Sequence, residues 1–373
     1  MSARKKILVC DRFSIEALVH LKTNPQFEVI SILSDADLRD HLPTAHGLLI
    51  RSKQKINSSF LDAAKNLEVI TTCTSGYDHI DLVETEKRKI CVMYTPEANQ
   101  ISATEMTWAL LLACVRHVIP AHRDIKSGKW QRDPYLGFEL SGKILGIVGL
   151  GRIGSRVSKI ANAFGMEVLA FDPYQDDPAF LSAGATRVSY DELLKQCDVL
   201  SFHVPATKET KHMFNRNHYD LVSPDLVLIN TSRGSAINED DLYEALNSGK
   251  IKAAGLDVFE KEPLSHESKL MKCSQVIFTP HLGAFTEDAF QKASLQGALQ
   301  MENYFKSHKI QNSLPLVNLW GSLSFQSPRF DSLRAYTSRR FYVFQSLINQ
   351  YDRSRWCTLQ SLLNFLQRLK KKN

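Results

Sequence analysis

The segment "NTSRG" at 230–234 closes an apolar run and delivers Arg233 to the end of a strand. A fixed guanidinium there suits a carboxylate, because its planar fork makes paired hydrogen bonds. A second apolar run ends in "GLDVFEKEPL", which sets Asp257, Glu260 and Glu262 within six positions. A third ends in "TPHLGA", which carries His281. Each piece alone has a plain structural reading: an ion pair for the arginine, a solvated turn for the carboxylates, a surface or capping place for the histidine. Together, at three strand ends, they form an acid–base set able to hold an anion and move a proton.

A second constellation lies upstream. "KILGIVGLGRIGSRVSKIANAFGMEVLAFDPY" contains G-x-G-x-x-G at Gly149, Gly151 and Gly154, between an apolar strand and a helix. A second strand follows and ends in Asp172, eighteen residues past the third glycine. In that context the glycines serve a tight turn, close approach of a pyrophosphate, and helix–strand packing. Backbone N–H groups at the helix start face the phosphates. Asp172 can accept both ribose hydroxyls of NAD and repels a 2′-phosphate. Pro173 and Tyr174 follow it, with no arginine to receive that phosphate, so NAD is favoured over NADP.

Alternating strands and helices must position these residues. The first series of strand candidates is "KILVCD", "FEVISIL", "HGLLIRS", "EVITTCT" and "ICVMYT". A long helical pattern over 101–121 opens a second series: "KILGIVGLG", "EVLAFDP", "VLSFHVP", "LVLINTSRG", "KAAGLDVF" and "QVIFTPHLG". Apolar strands separated by helices indicate parallel sheets covered on both faces, here in two doubly wound α/β domains. The helix "TEDAFQKASLQGALQMENYFKSH" is expected to lead back to the first domain, and "QNSLPLVNLW" to end the regular part. This gives a substrate domain at 1–100 and 288–320, a dinucleotide domain at 101–287, and a tail at 321–373.

Composition narrows the class. The chain has 373 residues, 43% hydrophobic and 23% charged, an ordinary globular balance with length for two domains. Its net charge of +6 is uneven: from Gly321 onward ten Lys/Arg face two acids, so the body carries about −2. The body is therefore no nucleic-acid binder by composition. The longest near-apolar run, "WALLLACV", is too short to cross a bilayer, and the N-terminus lacks the pattern of a signal peptide. Seven widely spaced cysteines without a CxxC fit a reduced, cytoplasmic protein with no zinc site.

Six ordered blocks carry a resemblance over about residues 5–318: "RSKQKI", "SGYDHIDL", "GLGRIG…FDP", "HVPATKETKHMFN", "NTSRG" and "GLDVFEKEP…TPHLGA". The chain resembles the D-isomer-specific 2-hydroxyacid dehydrogenases. It is most similar to the short D-3-phosphoglycerate dehydrogenases, with glyoxylate/hydroxypyruvate reductases close behind. The resemblance implies a Rossmann NAD domain inserted in a flavodoxin-like substrate domain, a homodimer or tetramer, and a place in serine biosynthesis. It assigns catalysis to Arg233, Glu262 and His281: Glu262 orients His281, which exchanges a proton with the 2-oxo oxygen, while Arg233 grips the substrate carboxylate. The cofactor is expected against Gly149, Gly151, Arg152, Ile153, Gly154, Asp172, Val204, Pro205, Thr231, Ser232, Arg233, Asp257, His281, Gly283 and Ala284. Asp257 matches the residue that holds the nicotinamide carboxamide. Glu260 matches no functional position and is expected to be solvated.

For the substrate, the backbone of Ser75 to Tyr77 is expected to cradle a carboxylate, with Arg51 as the phosphate contact and Lys55 beside it. The sequence departs from the family pattern at Thr72, where some phosphoglycerate enzymes carry a second arginine. No regulatory serine-binding domain is recognisable after the catalytic body. Two other readings stay open: a formate dehydrogenase, although that family places Gln where Glu262 stands, and a NAD-sensing corepressor. In the tail, Trp356, Leu359, Leu362, Leu363, Leu366 and Leu369 recur at helical spacing. A self-docking helix, a membrane or nucleic-acid contact, and an extension without function are all compatible with it.

Overall fold

The computed structural model describes residues 4–308 and 310–314. The tail helix read at 356–369 and Cys357 lie outside the described residues.

Thirteen strands form two sheets among the described residues. The first contains β1 (Lys5–Val9), β2 (Phe27–Ser31), β3 (Gly47–Ile50), β4 (Val69–Thr72) and β5 (Cys91–Tyr94), plus the short β13 (Ser313–Leu314). Its order is β13-β5-β4-β3-β1-β2, parallel except for β13, which pairs antiparallel with β5. The 2-1-3-4-5 order is flavodoxin-like, with its switch point between β1 and β3. The second sheet contains β6 (Ile144–Val148), β7 (Glu167–Phe171), β8 (Thr186–Arg187), β9 (Val199–Phe202), β10 (Val227–Asn230), β11 (Ala253–Leu256) and β12 (Val276–Phe278). It is wholly parallel, in the order β12-β11-β10-β9-β6-β7-β8. This is the Rossmann order, with its switch point between β6 and β9.

Strands β3, β4, β9 and β10 are buried at every position. That explains their unbroken apolar sequence: each side chain meets a covered face. Leu8, Leu48, Ile50 and Ile70 fill one face of the first sheet, and Ile7, Val9, Leu49 and Met93 the other. The helix Glu287–Ser307 crosses back onto β3 and β4, as expected, capped at Thr286, whose side chain accepts from the Ala289 N–H.

The helical pattern read as continuous over 101–121 is divided. The structure has Gln100–Val115 and then Val118–Lys126, separated at His117, which takes the left-handed conformation at φ 51°. The first of these is core: Trp108, Leu110, Leu111, Cys114 and Val115 are buried against the second sheet. The Trp108 ring stacks on Phe164 at 4.7 Å between centroids. Among the described residues six cysteines are free, and burial pushes the Cys10, Cys73, Cys114 and Cys197 thiols up to about 12. No helix among the described residues is long and apolar enough to cross a membrane.

Candidate active site

The turn after β6 has the three glycines in three different situations. Gly149 sits at φ +91°, open to glycine and strained for other residues. A Cβ on Gly154 would overlap the Gly149 carbonyl, so the helix packs down on the turn. Nothing lies within 4 Å of where a Cβ on Gly151 would stand. The helix Arg152–Ala163 starts there with no side-chain cap, so the N–H groups of its first turn, from Arg152 and Ile153 onward, open onto that space. Its buried residues, Gly154, Val157, Ser158 and Ala161, follow the i, i+3, i+4, i+7 spacing that docks one face on the sheet.

Asp172 follows β7 and is 4% exposed. Its Oδ2 accepts from the Leu150 N–H at 2.8 Å and its Oδ1 from the Tyr174 N–H at 2.9 Å. The carboxylate thus braces the glycine turn and keeps lone pairs for ribose hydroxyls. Across the switch point, Val204 and Pro205 follow β9, with Val204 against the Gly149 turn. An open anion-binding turn and a ribose acceptor at the switch point fit a dinucleotide.

The turn after β10 is shaped by Asn230, which sequence reasoning passed over. Its Oδ1 accepts from the N–H and hydroxyl of Ser232, and its Nδ2 donates to the Arg233 carbonyl at 2.9 Å. Thr231 is tied through its hydroxyl to Thr107 at 2.7 Å. A Cβ on Gly234 would overlap the Phe259 backbone, so the two strand ends touch and bring Arg233 toward the Glu262 segment.

Glu262 and His281 meet: Oε2 of the one lies 2.7 Å from Nδ1 of the other. The second Glu262 oxygen accepts from the Phe259 N–H at 3.1 Å, which fixes the carboxylate. The hydrogen bond to Glu262 pushes the His281 pKa up against the opposing effect of burial. For Glu262 burial pushes upward, but His281, with help from Phe259 and Arg233, holds it below the usual carboxylate range. The other motif histidines go the opposite way. Burial pushes His79 down to about 4 and His203 to about 3. Of these three, His281 is the one built to carry a proton near neutrality.

Asp257 is fully buried and serves the loop that carries His281. Its Oδ1 accepts from the Thr279 hydroxyl at 2.6 Å and the Leu282 N–H at 2.7 Å, its Oδ2 from the Gly283 N–H at 2.7 Å, with Ala284 next in line. Glu260 is exposed, in line with the expectation of a solvated side chain, and it also makes surface contacts. Its Oε1 accepts from the Glu239 N–H at 2.9 Å at the start of the helix Glu239–Asn247, and its Oε2 lies 3.2 Å from His212 Nε2. The reason is the positive end of that helix, which attracts a nearby carboxylate.

On the first sheet, Ser75 and Gly76 follow β4. The backbone N–H groups of Ser75, Gly76 and Tyr77 have no acceptor among the described residues. The Ser75 hydroxyl bonds to Asn99 and to the Pro96 carbonyl. Arg51 follows β3, with its guanidinium 5.2 Å from the Phe290 ring and one buried nitrogen, Nη1, unpartnered. Lys55 is exposed. Two further charged residues lie at this edge and went unweighed in the sequence. Arg12, beyond β1, faces the same Phe290 ring at 5.6 Å, and Asp11 has a buried, unpartnered Oδ2. Their signal is topological: β1 and β3 flank the switch point, which is legible only once the strand order is known.

Comparison with known proteins decides the family. The D-isomer specific 2-hydroxyacid dehydrogenase NAD binding domain matches residues 108–283. The hydroxypyruvate reductase of Thermotoga maritima is 38% identical over 297 residues, covering 79% of this chain and 96% of that protein. The chain belongs to the D-isomer specific 2-hydroxyacid dehydrogenase family. It carries that family's NAD binding domain. The D-3-phosphoglycerate dehydrogenase of Archaeoglobus fulgidus is 36% identical over 315 residues, covering 84% of this chain. The chain spans 60% of the length of that relative. Among solved structures, D-lactate dehydrogenase from Aquifex aeolicus, complexed with NAD and lactic acid, superposes with a TM-score of 0.73 at 30% identity, covering 80% of this chain and 95% of that one.

Proposed function

We propose that the chain is an NAD-dependent oxidoreductase that interconverts small D-2-hydroxy acids and 2-oxo acids. The observation that carries this reading is the Glu262–His281 pair beside Arg233. It combines a histidine with a raised pKa, a fixed carboxylate and a guanidinium at adjoining strand ends. The division of labour among domains follows: 1–100 and 288–320 for substrate, 101–287 for NAD.

Bound NAD supplies or accepts hydride at nicotinamide C4. Arg233 and the free N–H groups of Ser75 to Tyr77 hold the substrate carboxylate. His281, with Nδ1–H directed at Glu262, presents its Nε2 proton to the 2-oxo oxygen; in the oxidative direction Nε2 takes the hydroxyl proton. Glu262 stabilises the imidazolium throughout. Asp172 favours NAD over NADP, since a 2′-phosphate would meet a carboxylate already held by two backbone N–H groups.

For the substrate we infer D-3-phosphoglycerate and 3-phosphohydroxypyruvate, the pair of serine biosynthesis. Arg51 and Arg12, two cations around one phenyl ring at the first sheet's switch point, suit a distal phosphate. A second reading, hydroxypyruvate or glyoxylate reductase, is favoured by the coverage of the Thermotoga relative and by Asp11, whose unpartnered oxygen accepts a hydroxyl and repels a phosphate. The test is NADH oxidation by the purified chain with phosphohydroxypyruvate, hydroxypyruvate, glyoxylate and pyruvate. The largest kcat/KM with the phosphorylated acid supports the first reading; no turnover of any 2-oxo acid overturns both.

The chain is further proposed to act as a homodimer. What supports this is that Val118, Ile125, Trp130 and Leu136 are 51%, 53%, 84% and 88% exposed within one stretch of 19 residues, apolar side chains of the kind a second copy covers.

A further inference from the structure

We propose that Asp78 is the positioning residue that aims the Arg233 fork at the substrate carboxylate, and that it does so from the opposite domain. The inference rests on the reading of Arg233 as the carboxylate-binding residue. Arg233 Nε donates to Asp78 Oδ2 at 2.7 Å, across 155 positions of sequence. Asp78 stands in the loop after β4 of the first sheet, Arg233 in the turn after β10 of the second. Arg233 Nη1 also donates to the Ser232 carbonyl at 2.7 Å. These two bonds, on different edges, fix the plane of the guanidinium.

What they leave free is informative. A guanidinium has five N–H groups in a fixed fork. With Nε–H and one Nη1–H engaged, the remaining Nη1–H and both Nη2–H groups are available. Nη2 lies flat on Gly76, where a Cβ would overlap it. The unpartnered N–H groups of Ser75, Gly76 and Tyr77 stand beside it. Asp78 therefore brings the free N–H groups of the fork and the backbone cradle to one place, where a single carboxylate can bridge both.

The pair joins the loop after β4 of the first sheet to the turn after β10 of the second. Both side chains are partly exposed, 28% for Arg233 and 47% for Asp78. Ion pairs that exposed contribute little to stability. Its value lies in direction, which separates this role from a scaffolding one.

The test uses the full chain with Asp78→Asn and Asp78→Ala, each alone and combined with Arg233→Lys. In 2-oxo acid reduction, KM is expected to rise about tenfold or more in each single Asp78 variant, the worth of losing orientation in a charge-assisted contact. The NADH dissociation constant and Tm should stay near wild type. Lysine has no Nε–H fork for Asp78 to hold, so in the Arg233→Lys background the Asp78 changes should add little. The pH profile gives a further readout. Asp78 partly neutralises Arg233, and Arg233, Glu262 and Asp257 are the charged groups acting on His281. Removing the Asp78 charge should move the alkaline fall of the reduction rate to lower pH. Wild-type activity with unchanged KM and pH profile in both Asp78 variants overturns the proposal. So does a KM effect that is fully additive with Arg233→Lys, or one that comes with an equal loss of NADH affinity. A wild type inactive on every 2-oxo acid overturns instead the functional reading on which it rests.

Discussion

Glu262 and His281, nineteen positions apart, are held 2.7 Å apart by the ends of two adjacent strands, β11 and β12. The contact raises the His281 pKa, so protonated histidine persists to higher pH than an unpartnered imidazole allows. Reduction of a 2-oxo acid uses that protonated form. Its rate should be full below the His281 pKa and fall as pH rises through it, while oxidation of the hydroxy acid should rise over the same range. Glu262→Gln keeps the shape and removes the charge. The fall in reduction should then shift to lower pH, with a smaller loss at low pH, as read from initial rates of NADH consumption.

The proposed role of Asp172 is to set the choice of cofactor. NAD should exceed NADP in kcat/KM, and Asp172→Ala should shrink the ratio by about tenfold or more, the worth of a charge-assisted hydrogen bond. Because the Leu150 and Tyr174 N–H groups also lose their acceptor, NAD affinity should fall as well. Equal use of both cofactors by the wild type contradicts the assignment.

Glu260 separates structure from catalysis. Glu260→Gln removes a charge from a helix N-terminus and should cost about 0.5 kcal/mol, visible as a small drop in Tm. Its kcat and KM should match wild type. Damage equal to that of Glu262→Gln would show that the two carboxylates are not divided as described.

Arg51 and Arg12 test the distal group. Arg51→Ala should raise KM for phosphohydroxypyruvate about 10- to 100-fold, the effect of removing a charge-assisted hydrogen bond to phosphate. The effect on glyoxylate should be small, since that acid has nothing to reach this edge. Arg12→Ala should act in the same sense and more weakly, since Arg12 is exposed. Equal effects on both acids would place the two arginines outside substrate recognition.

The segment 118–136 tests assembly. Sedimentation at micromolar concentration should show a dimer, and Trp130→Ser with Leu136→Ser should shift it toward monomer. A monomeric wild type rejects the dimer.

Most of this architecture was legible because buried parallel strands write themselves as apolar runs. All five strands of the first series and β6, β7, β9, β10, β11 and β12 stand where those runs are. The two-residue strands β8 and β13 left no trace, being too short for any period. The break at His117 was hidden because the left-handed residue there is neither Gly nor Asn. The Glu262–His281 contact was readable by resemblance, and the glycine turn by spacing. The Asp78–Arg233 bond was not, since its partners belong to different sheets. Nor was the bond from Glu260 to Glu239, because the helix it caps begins 21 positions upstream.

The central claim is that His281 moves the proton while the glycine turn and Asp172 hold the cofactor independently. His281→Ala measures it directly, through kcat for 2-oxo acid reduction alongside fluorescence titration of NADH. We expect kcat to fall by about 10²–10⁴ with the NADH dissociation constant unchanged within twofold. A variant that keeps kcat within a few-fold of wild type, or one that loses NADH binding in step with kcat, would contradict the account.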